Sequence, residues 1–354
     1  MTYTQQRVRF AVIGAGVIGD VHSHALTAMS DTAELVAIAD SNPDKAAAMA
    51  AKYGVSENTD DIPALLGRDD IDAVTICTPS GLHADLAVAA LDAGKHVVVE
   101  KPIDITLAAA DRIIEAERRS GKKVAVISQH RFDKSTEKVL DSIRSGSLGT
   151  ITSAIASHAW WRGQSYYDSG DWRGTWALDG GGAIMNQTVH TINLLVTIVG
   201  TPVEVFAYTA CLAHERIEVE DTAVAVVKFA SGALGMIHGT TAAYPGLDAN
   251  LRIFGSKGSA VISNDELTFI HENAGAAPEI KLSAGTGVNQ VTDDYQLDPD
   301  DTSLGNAHQR QLTDFVTAIR TDGQPRVRPT DARTSLAVIL ELYQSAATGK
   351  PVTL

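Results

Sequence analysis

Val8-Arg9-Phe10-Ala11-Val12-Ile13-Gly14-Ala15-Gly16-Val17-Ile18-Gly19 decides how the first half of this chain folds. An apolar run of strand length ends directly on three glycines in the spacing G-x-G-x-x-G. Val17 and Ile18 then open an alanine-rich stretch of helical period, Ile18–Met29. In that spacing Gly14 permits a tight turn, Gly16 lets the backbone approach a pyrophosphate, and Gly19 lets helix and strand pack closely. Phosphates would lie on the unpaired N–H groups at the positive end of the helix. The spacing alone is weak evidence, but its context adds to it: a strand before, a helix after, and an acid at the end of the next apolar run. That acid is Asp40, 21 positions past Gly19, close to the ~20 expected of a carboxylate on the adenosine ribose. A glycine-rich turn with Asp40 as a plain helix cap would not need all three. A carboxylate there accepts from a 2′-hydroxyl and repels a 2′-phosphate. The next residues, Ser41-Asn42-Pro43, carry no cation and Lys45 is the nearest one, so the expected cofactor is NAD rather than NADP.

Outward from this segment the same alternation continues. Apolar runs at Val8–Ile13, Leu35–Ala39, Ala73–Ile76, His96–Val99 and Val124–Ile127 alternate with helical stretches at Ile18–Met29, Pro43–Tyr53, His83–Leu91 and Leu107–Arg119. Short apolar runs suit strands buried on both faces, and strand–helix alternation implies parallel strands joined by crossovers. The expected class is therefore α/β: a doubly wound parallel sheet in residues 1–128, followed by a second domain over 129–354. Ligands of such sheets lie beyond the carboxyl ends of the strands. Cys77-Thr78-Pro79 and Glu100-Lys101-Pro102 fall there, with His83 opening the next helix. Pro102 biases Lys101 away from helical conformation and keeps it extended at a strand tip, although a surface lysine at a strand exit is the commoner fate.

After residue 130 the texture changes. A helix over Ser135–Arg144 leads to Ile151–Ser157, and a long helix starts near Gly182. Strand candidates follow at Val203–Ala210, Thr222–Phe229, Ala233–Thr240 and Leu251–Phe254, with turn signals at Ser231-Gly232 and Gly255–Gly258. This predicts an open, mostly antiparallel sheet in an α+β domain. Glu272–Thr302 is rich in Asp and Gly and reads as an irregular excursion. Two helices close the chain. The first places Leu312, Phe315, Val316 and Ile319 at i, i+3, i+4 and i+7, and the second starts near Asp331 as N-cap.

Composition narrows the function. The chain has 354 residues, 43 acidic against 29 basic, for a net charge of −14. At about 150 residues per domain this is length for two cores. The acidic balance argues against a nucleic-acid binder, which would need a basic stripe. No uninterrupted apolar segment of membrane length occurs, and MTYTQQRVRF leads straight into a strand, with no room for a secretory leader. Two cysteines, Cys77 and Cys211, fit a reduced cytoplasm and exclude a disulfide framework or a cysteine-rich zinc site. His22 and His24 diverge on their helix, and no cluster has metal-ligand spacing, so no metal is expected.

Ala11–Gly19, Cys77-Thr78-Pro79-Ser80-Gly81-Leu82-His83, Gly94-Lys95-His96-Val97, Glu100-Lys101-Pro102, Gly180-Gly181-Gly182-Ala183, His190 and Gly255-Ser256-Lys257-Gly258 together resemble the glucose–fructose oxidoreductase / inositol dehydrogenase (Gfo/Idh/MocA) family. The resemblance covers nearly the whole chain. It implies an N-terminal Rossmann domain, a C-terminal α/β domain whose open sheet often serves oligomerisation, and hydride transfer between nicotinamide and a sugar or cyclic polyol. A homotetramer or dimer through the open sheet is therefore expected.

The helix after the glycine run carries Asn186, His190, Asn193 and Thr197 along one stripe, opposite apolar Met185, Val189, Ile192, Val196 and Val199. On spacing alone the polar stripe is equally a solvated face. The resemblance assigns this helix the family's catalytic histidine. His190 would take the substrate hydroxyl proton as hydride leaves the same carbon for nicotinamide C4, and Lys101 would polarise the hydroxyl. Many family members carry Asp at position 186, one turn before the histidine. Asn186 has no charge to raise the histidine's basicity, so an Asp–His dyad does not transfer, although Asn186 can still donate to substrate. All four tryptophans, with Tyr166 and Tyr167, lie within Trp160–Trp176, so six of 19 aromatics share 17 residues. Flat rings suit a pyranose C–H face, and interleaved Arg and Asp suit its hydroxyls; the same composition suits a subunit interface. Trp172, Arg173, Tyr166 and Gln129 are the substrate candidates beside Asn186 and His190. The cofactor set is Gly14, Gly16, Val17, Ile18, Gly19, Asp40, Cys77, Thr78, Pro79, His83, Glu100 and Lys101.

The leading expectation is an NAD-dependent dehydrogenase that oxidises a secondary ring hydroxyl of a sugar, sugar derivative or cyclic polyol to a ketone. A redox-neutral glycosidase on a retained NAD is the first alternative. A nucleotide-sensing regulator is the second, and it should lack Lys101 or His190; this chain keeps both.

Overall fold

The computed structural model describes residues 7–273 and 304–354. They divide into two compact units: 7–129 with 170–181 and 304–337, and 130–169 with 182–273 and 338–354.

The first unit is built on six parallel strands: β1 (Val8–Ile13), β2 (Ala33–Ala39), β3 (Glu57–Thr59), β4 (Ala73–Ile76), β5 (His96–Val99) and β6 (Val124–Val126). Their order is β3-β2-β1-β4-β5-β6, the doubly wound Rossmann arrangement, with its topological switch between β1 and β4. All five apolar runs are strands. β3 has no such run: its three residues are polar and largely exposed at the sheet edge, where burial does not demand hydrophobicity. The crossover helices start and stop on local chemistry. Asn42 caps Pro43–Tyr53 by accepting from the Asp44 and Lys45 amides, and Gly54 ends that helix in the left-handed region (φ 68°). Thr106 caps Leu107–Ser120 in the same way.

The core under β1 contains Phe10, Leu26 and Met29. The helix Leu304–Thr321 adds Leu312, Phe315 and Val316 to it, the stripe its spacing predicts. The rings of Phe10 and Phe315 lie 6.4 Å apart. The last long helix, Pro329–Thr348, begins two residues before Asp331. Asp331 is thus inside the first turn rather than at the N-cap, and its Oδ2 accepts from the Arg328 amide at 3.0 Å. Pro329 explains the difference, because proline suits a first helical position.

The second unit holds eight strands: β7 (Ile151–Ala159), β8 (Pro202–Ala210), β9 (Thr222–Phe229), β10 (Leu234–Thr240), β11 (Ala249–Gly255), β12 (Ser259–Ser263), β13 (Glu266–His271) and β14 (Val352–Thr353). The order is β13-β12-β11-β7-β10-β9-β8-β14. Only β7 and β10 pair in parallel; the other neighbours are antiparallel. Strands β12 to β14 are short or alternate polar with apolar residues, and the longest apolar run among them is Ala260-Val261-Ile262. A π-helical turn, Ala183–Thr188, and the helix Val189–Val199 pack on one face of this sheet, burying Ala156, Ala225, Val227 and Ile237. On the other face Tyr208, Val224, Val226, Leu234 and Met236 are exposed. The excursion expected over Glu272–Thr302 lies, from residue 274, outside the described residues. Among the described residues no helix is long and apolar enough to cross a membrane.

Candidate active site

In the first unit one register row runs across the sheet: Ala39, Ile13, Ile76, Val99 and Val126 are neighbours in turn. Because the strands are parallel, the residues that follow this row leave the sheet along one edge. Asp40, Gly14, Cys77, Glu100 and Ile127 are those residues. The chemistry-bearing positions picked from four separate motifs therefore line the carboxyl edge at the switch point, where ligands of such sheets bind.

The three glycines differ in what surrounds them. Gly14 sits at φ 107°, and a Cβ there would lie 2.5 Å from the Cys77 carbonyl oxygen. A Cβ on Gly19 would lie 1.9 Å from the Gly14 carbonyl oxygen. A Cβ on Gly16 would meet nothing within 4 Å. Gly16 borders open space at the N-terminus of the helix Val17–Ala28, where unpaired backbone N–H groups suit an anion such as a pyrophosphate. Val17 beside it is 81% exposed, and Thr78 Oγ1 is buried without a hydrogen-bond partner. An open cradle, an exposed apolar side chain and an unsatisfied hydroxyl on one edge fit a dinucleotide. Asp40 is not a helix cap; Asn42 is. The Asp40 carboxylate accepts from the Ala15 amide at 2.7 Å and the Asn42 amide at 2.8 Å, which fixes it beside the glycine loop.

Glu100 is buried. Its Oε2 accepts from the Lys101 amide at 3.0 Å, while its Oε1 lies 2.9 Å from His22 Nε2 and 3.3 Å from His308 Nε2. Burial by itself would raise this carboxyl; the two histidines outweigh it and hold it well below the usual range. Burial pushes His22 the other way, below its ordinary value, so a neutral ring faces a carboxylate. Glu100 thus anchors Lys101 from beneath. His83 is buried with Nδ1 2.8 Å from the Pro102 carbonyl and Nε2 3.0 Å from the Thr78 carbonyl, tying the two strand-tip loops together. Burial raises the Cys77 thiol well above its usual range, which leaves it inert. Trp172 and Arg173 belong to this unit, the guanidinium 4.5 Å above the indole. Gln129 ends the first segment of the unit and is buried.

In the second unit His190 sits on the first turn of Val189–Val199, directly after the π-helical turn. A 3.6-residue count therefore does not run unbroken from Asn186 to His190, and π turns recur at functional sites. The supposed polar stripe is not a solvated face. Asn193 is buried and accepts from Arg131 Nε at 2.8 Å, and Asn186, His190 and Thr197 are partly covered. The His130 ring stands edge-on to the His190 ring, centroids 5.1 Å apart. His130 Nδ1 in turn lies 2.9 Å from Asp133 Oδ2 and 3.0 Å from Asp265 Oδ1. Burial opposes a charge on His130, but the two carboxylates overcome it and raise the ring to about 9. Tyr166 accepts from Gln187 Nε2 at 3.0 Å, and Arg162 lies over both the Trp160 and Tyr166 rings.

Two three-residue groups with metal-ligating atoms within 4.8 Å of one another occur among the described residues, His22–Glu100–His308 and His130–Asp133–Asp265. Sequence reading missed both as clusters: His130 and Asp133 are near neighbours in the chain, but Asp265 joins them from a distant turn, and His22, Glu100 and His308 are all far apart.

Residues 8–128 match the GFO/IDH/MocA profile described as an oxidoreductase family with an NAD-binding Rossmann fold, and residues 136–261 match the GFO/IDH/MocA C-terminal domain. Myo-inositol 2-dehydrogenase of Thermotoga maritima is 33% identical over 270 residues, 73% of this chain and 75% of that protein. Inositol 2-dehydrogenase of Rhizobium meliloti is 28% identical over 98% of this chain and 99% of that protein. Among solved structures, the WlbA dehydrogenase from Bordetella pertussis in complex with NADH and UDP-GlcNAcA is similar with a TM-score of 0.85 and 33% identity, covering 99% of each chain.

Proposed function

The chain belongs to the GFO/IDH/MocA oxidoreductase family, and from that premise we propose that it is an NAD-dependent dehydrogenase oxidising a secondary ring hydroxyl of a sugar, sugar derivative or cyclic polyol. The observation that carries the reading is the strand-end row that delivers Gly14, Asp40, Cys77 and the Glu100-Lys101 pair to one sheet edge. Bound NAD would supply the hydride acceptor. The glycine loop would hold its pyrophosphate through backbone N–H groups, and Asp40 would accept from the ribose hydroxyls and disfavour a 2′-phosphate.

Lys101, steadied by Glu100 through its backbone, would donate to the substrate hydroxyl and stabilise alkoxide character as it develops. His190 would accept the hydroxyl proton. Asn186 would orient the substrate as a neutral donor. Trp172, Arg173 and Tyr166 would supply ring faces and a fork of donors for the rest of the sugar. Two relatives are named for inositol, and the WlbA structure holds a nucleotide sugar, so both substrate classes belong in the test.

That test is a cofactor-reduction screen with NAD and NADP across inositols, pyranoses, anhydrosugars and uridine-diphosphate sugars. NADH should form with at least one of them, faster than NADPH. Lys101→Ala and His190→Ala should each lower kcat/KM by about 10²- to 10⁴-fold. No turnover anywhere in the panel, or full activity in both variants, would overturn the reading.

A further inference from the structure

We propose that Arg162 is a specificity-determining residue: it holds an oxyanion, so that the sugar or polyol this chain oxidises carries a carboxylate or a phosphoryl group. The Arg162 guanidinium lies over two rings, 4.9 Å from the Trp160 centroid and 5.1 Å from the Tyr166 centroid. A guanidinium stacked on rings still has its in-plane N–H donors to satisfy at its edge. Here they find little. Nη2 reaches Gln187 Oε1 only at 3.4 Å, and Nε is buried with no hydrogen-bond partner. Among the described residues no carboxylate forms an ion pair with Arg162. The acids of the adjoining segments are engaged elsewhere: Asp168 with Arg216 at 2.8 Å, Asp221 with His214 at 3.0 Å, and Glu220 with the Gly182 and Ile184 amides. A part-covered cation with no counter-charge is costly, and an arriving anion removes that cost.

Arg162 is also held in place. Its amide donates to the Thr241 carbonyl at 2.9 Å, and its carbonyl accepts from His214 Nε2 at 2.6 Å, while His214 Nδ1 lies 3.0 Å from Asp221 Oδ2. The side chain is tied to the turn that carries the candidate catalytic groups. Gln187 follows Asn186 in the π-helical turn Ala183–Thr188 and stands three residues before His190. Its side-chain amide meets Arg162 and, at 3.0 Å, the Tyr166 hydroxyl. The uncompensated cation and the candidate base therefore share one short segment of the second unit. A chain with a net charge of −14 repels an anionic substrate at long range, so recognising one needs a fixed local cation. The planar fork of an arginine suits that task, because two of its N–H groups match two oxygens of a carboxylate or phosphoryl group.

The place of Arg162 in turnover rests on the proposed dehydrogenase function, but binding tests the inference without it. Calorimetry on the full-length protein with NADH bound compares matched pairs: glucuronate with glucose, glucose 1-phosphate with methyl glucoside, and uridine-diphosphate glucuronate with uridine-diphosphate glucose. At least one anionic member should bind about 10- to 100-fold more tightly than its partner, the worth of one charge-assisted contact. That margin should shrink with added salt. Arg162→Gln removes the charge and should erase the margin while leaving the affinity of the partner sugar unchanged. Arg162→Lys keeps the charge without the fork and should keep part of the margin. A margin for the glucuronates alone assigns a carboxylate, and one for glucose 1-phosphate alone assigns a phosphoryl group. No margin in any pair, or a margin that survives in Arg162→Gln, overturns the inference. In turnover, Arg162→Gln should lower kcat/KM for the anionic substrate mainly through KM. Turnover of neutral sugars only, unaffected by Arg162→Gln, would overturn the inference and leave the dehydrogenase reading standing. No turnover at all would sink that reading, while the binding margins would still decide this one.

Discussion

Glu220 shows how one side chain holds the element that carries His190. It is buried; its Oε2 accepts from the Gly182 amide at 3.0 Å, and its Oε1 from the Ile184 amide at 2.8 Å and the Tyr343 hydroxyl at 3.0 Å. Burial pushes its carboxyl up to about 7 against the pull of these donors. A carboxyl raised on folding contributes stability that is fully present below its unfolded value and is lost as pH rises through the folded one. Between pH 4.5 and about 7 the loss is about 3 kcal/mol. Glu220→Gln cannot ionise, so its thermal midpoint should fall less between pH 5 and pH 8 than that of the parent. Equal falls in the two proteins would show that this carboxyl does not carry the slope. No sequence signal marked Glu220: its partners lie 36 and more positions away, and an acid before a strand usually faces water.

At the scale of elements, the strand–glycine–helix unit was legible because its interactions are local. Turn, cradle and close packing all arise within the twelve residues Val8–Gly19. The geometry separates two of the glycines by experiment. Gly16→Ala adds a methyl into open space, so the thermal midpoint should stay within about 1–2 °C of the parent's, while NAD binding weakens at least tenfold by calorimetry. Gly19→Ala drives a methyl into the Gly14 carbonyl at 1.9 Å, so stability and binding should fall together. Matching losses in both variants would mean that Gly16 does not border the phosphate site. The helix after Gly180–Gly182 was less legible. Its wide first turn disrupts the 3.6-residue count, and its polar positions are covered or hydrogen-bonded rather than solvated.

At the scale of the molecule, the eight-stranded sheet leaves an apolar row uncovered. Phe206, Val226 and Met236 are register neighbours, flanked by Tyr208 beside Val224. Exposed apolar patches of this kind mark association surfaces, and we propose that copies of this chain associate here. The parent protein should then run as an oligomer by size-exclusion chromatography with light scattering, and Val226→Lys combined with Leu234→Lys as a monomer, with far-UV circular dichroism unchanged. An unaltered mass would place association elsewhere.

The parallel alternation of strand and helix and the glycine loop followed from residue patterns, because strand period, glycine spacing and crossover length are written in contiguous sequence; the candidate His190 followed from the resemblance to a family, and the order of the strands from the tertiary structure. Which strands of the second sheet pair, which polar groups meet in its interior, and that Glu100 and His130 each sit in a clamp of side chains were decided only in three dimensions. Those contacts join residues as distant as His130 and Asp265 or Glu100 and His308. Burial removes water as a competing partner there, and the energy of such clusters depends on distance in space, a quantity that local periodicity does not record.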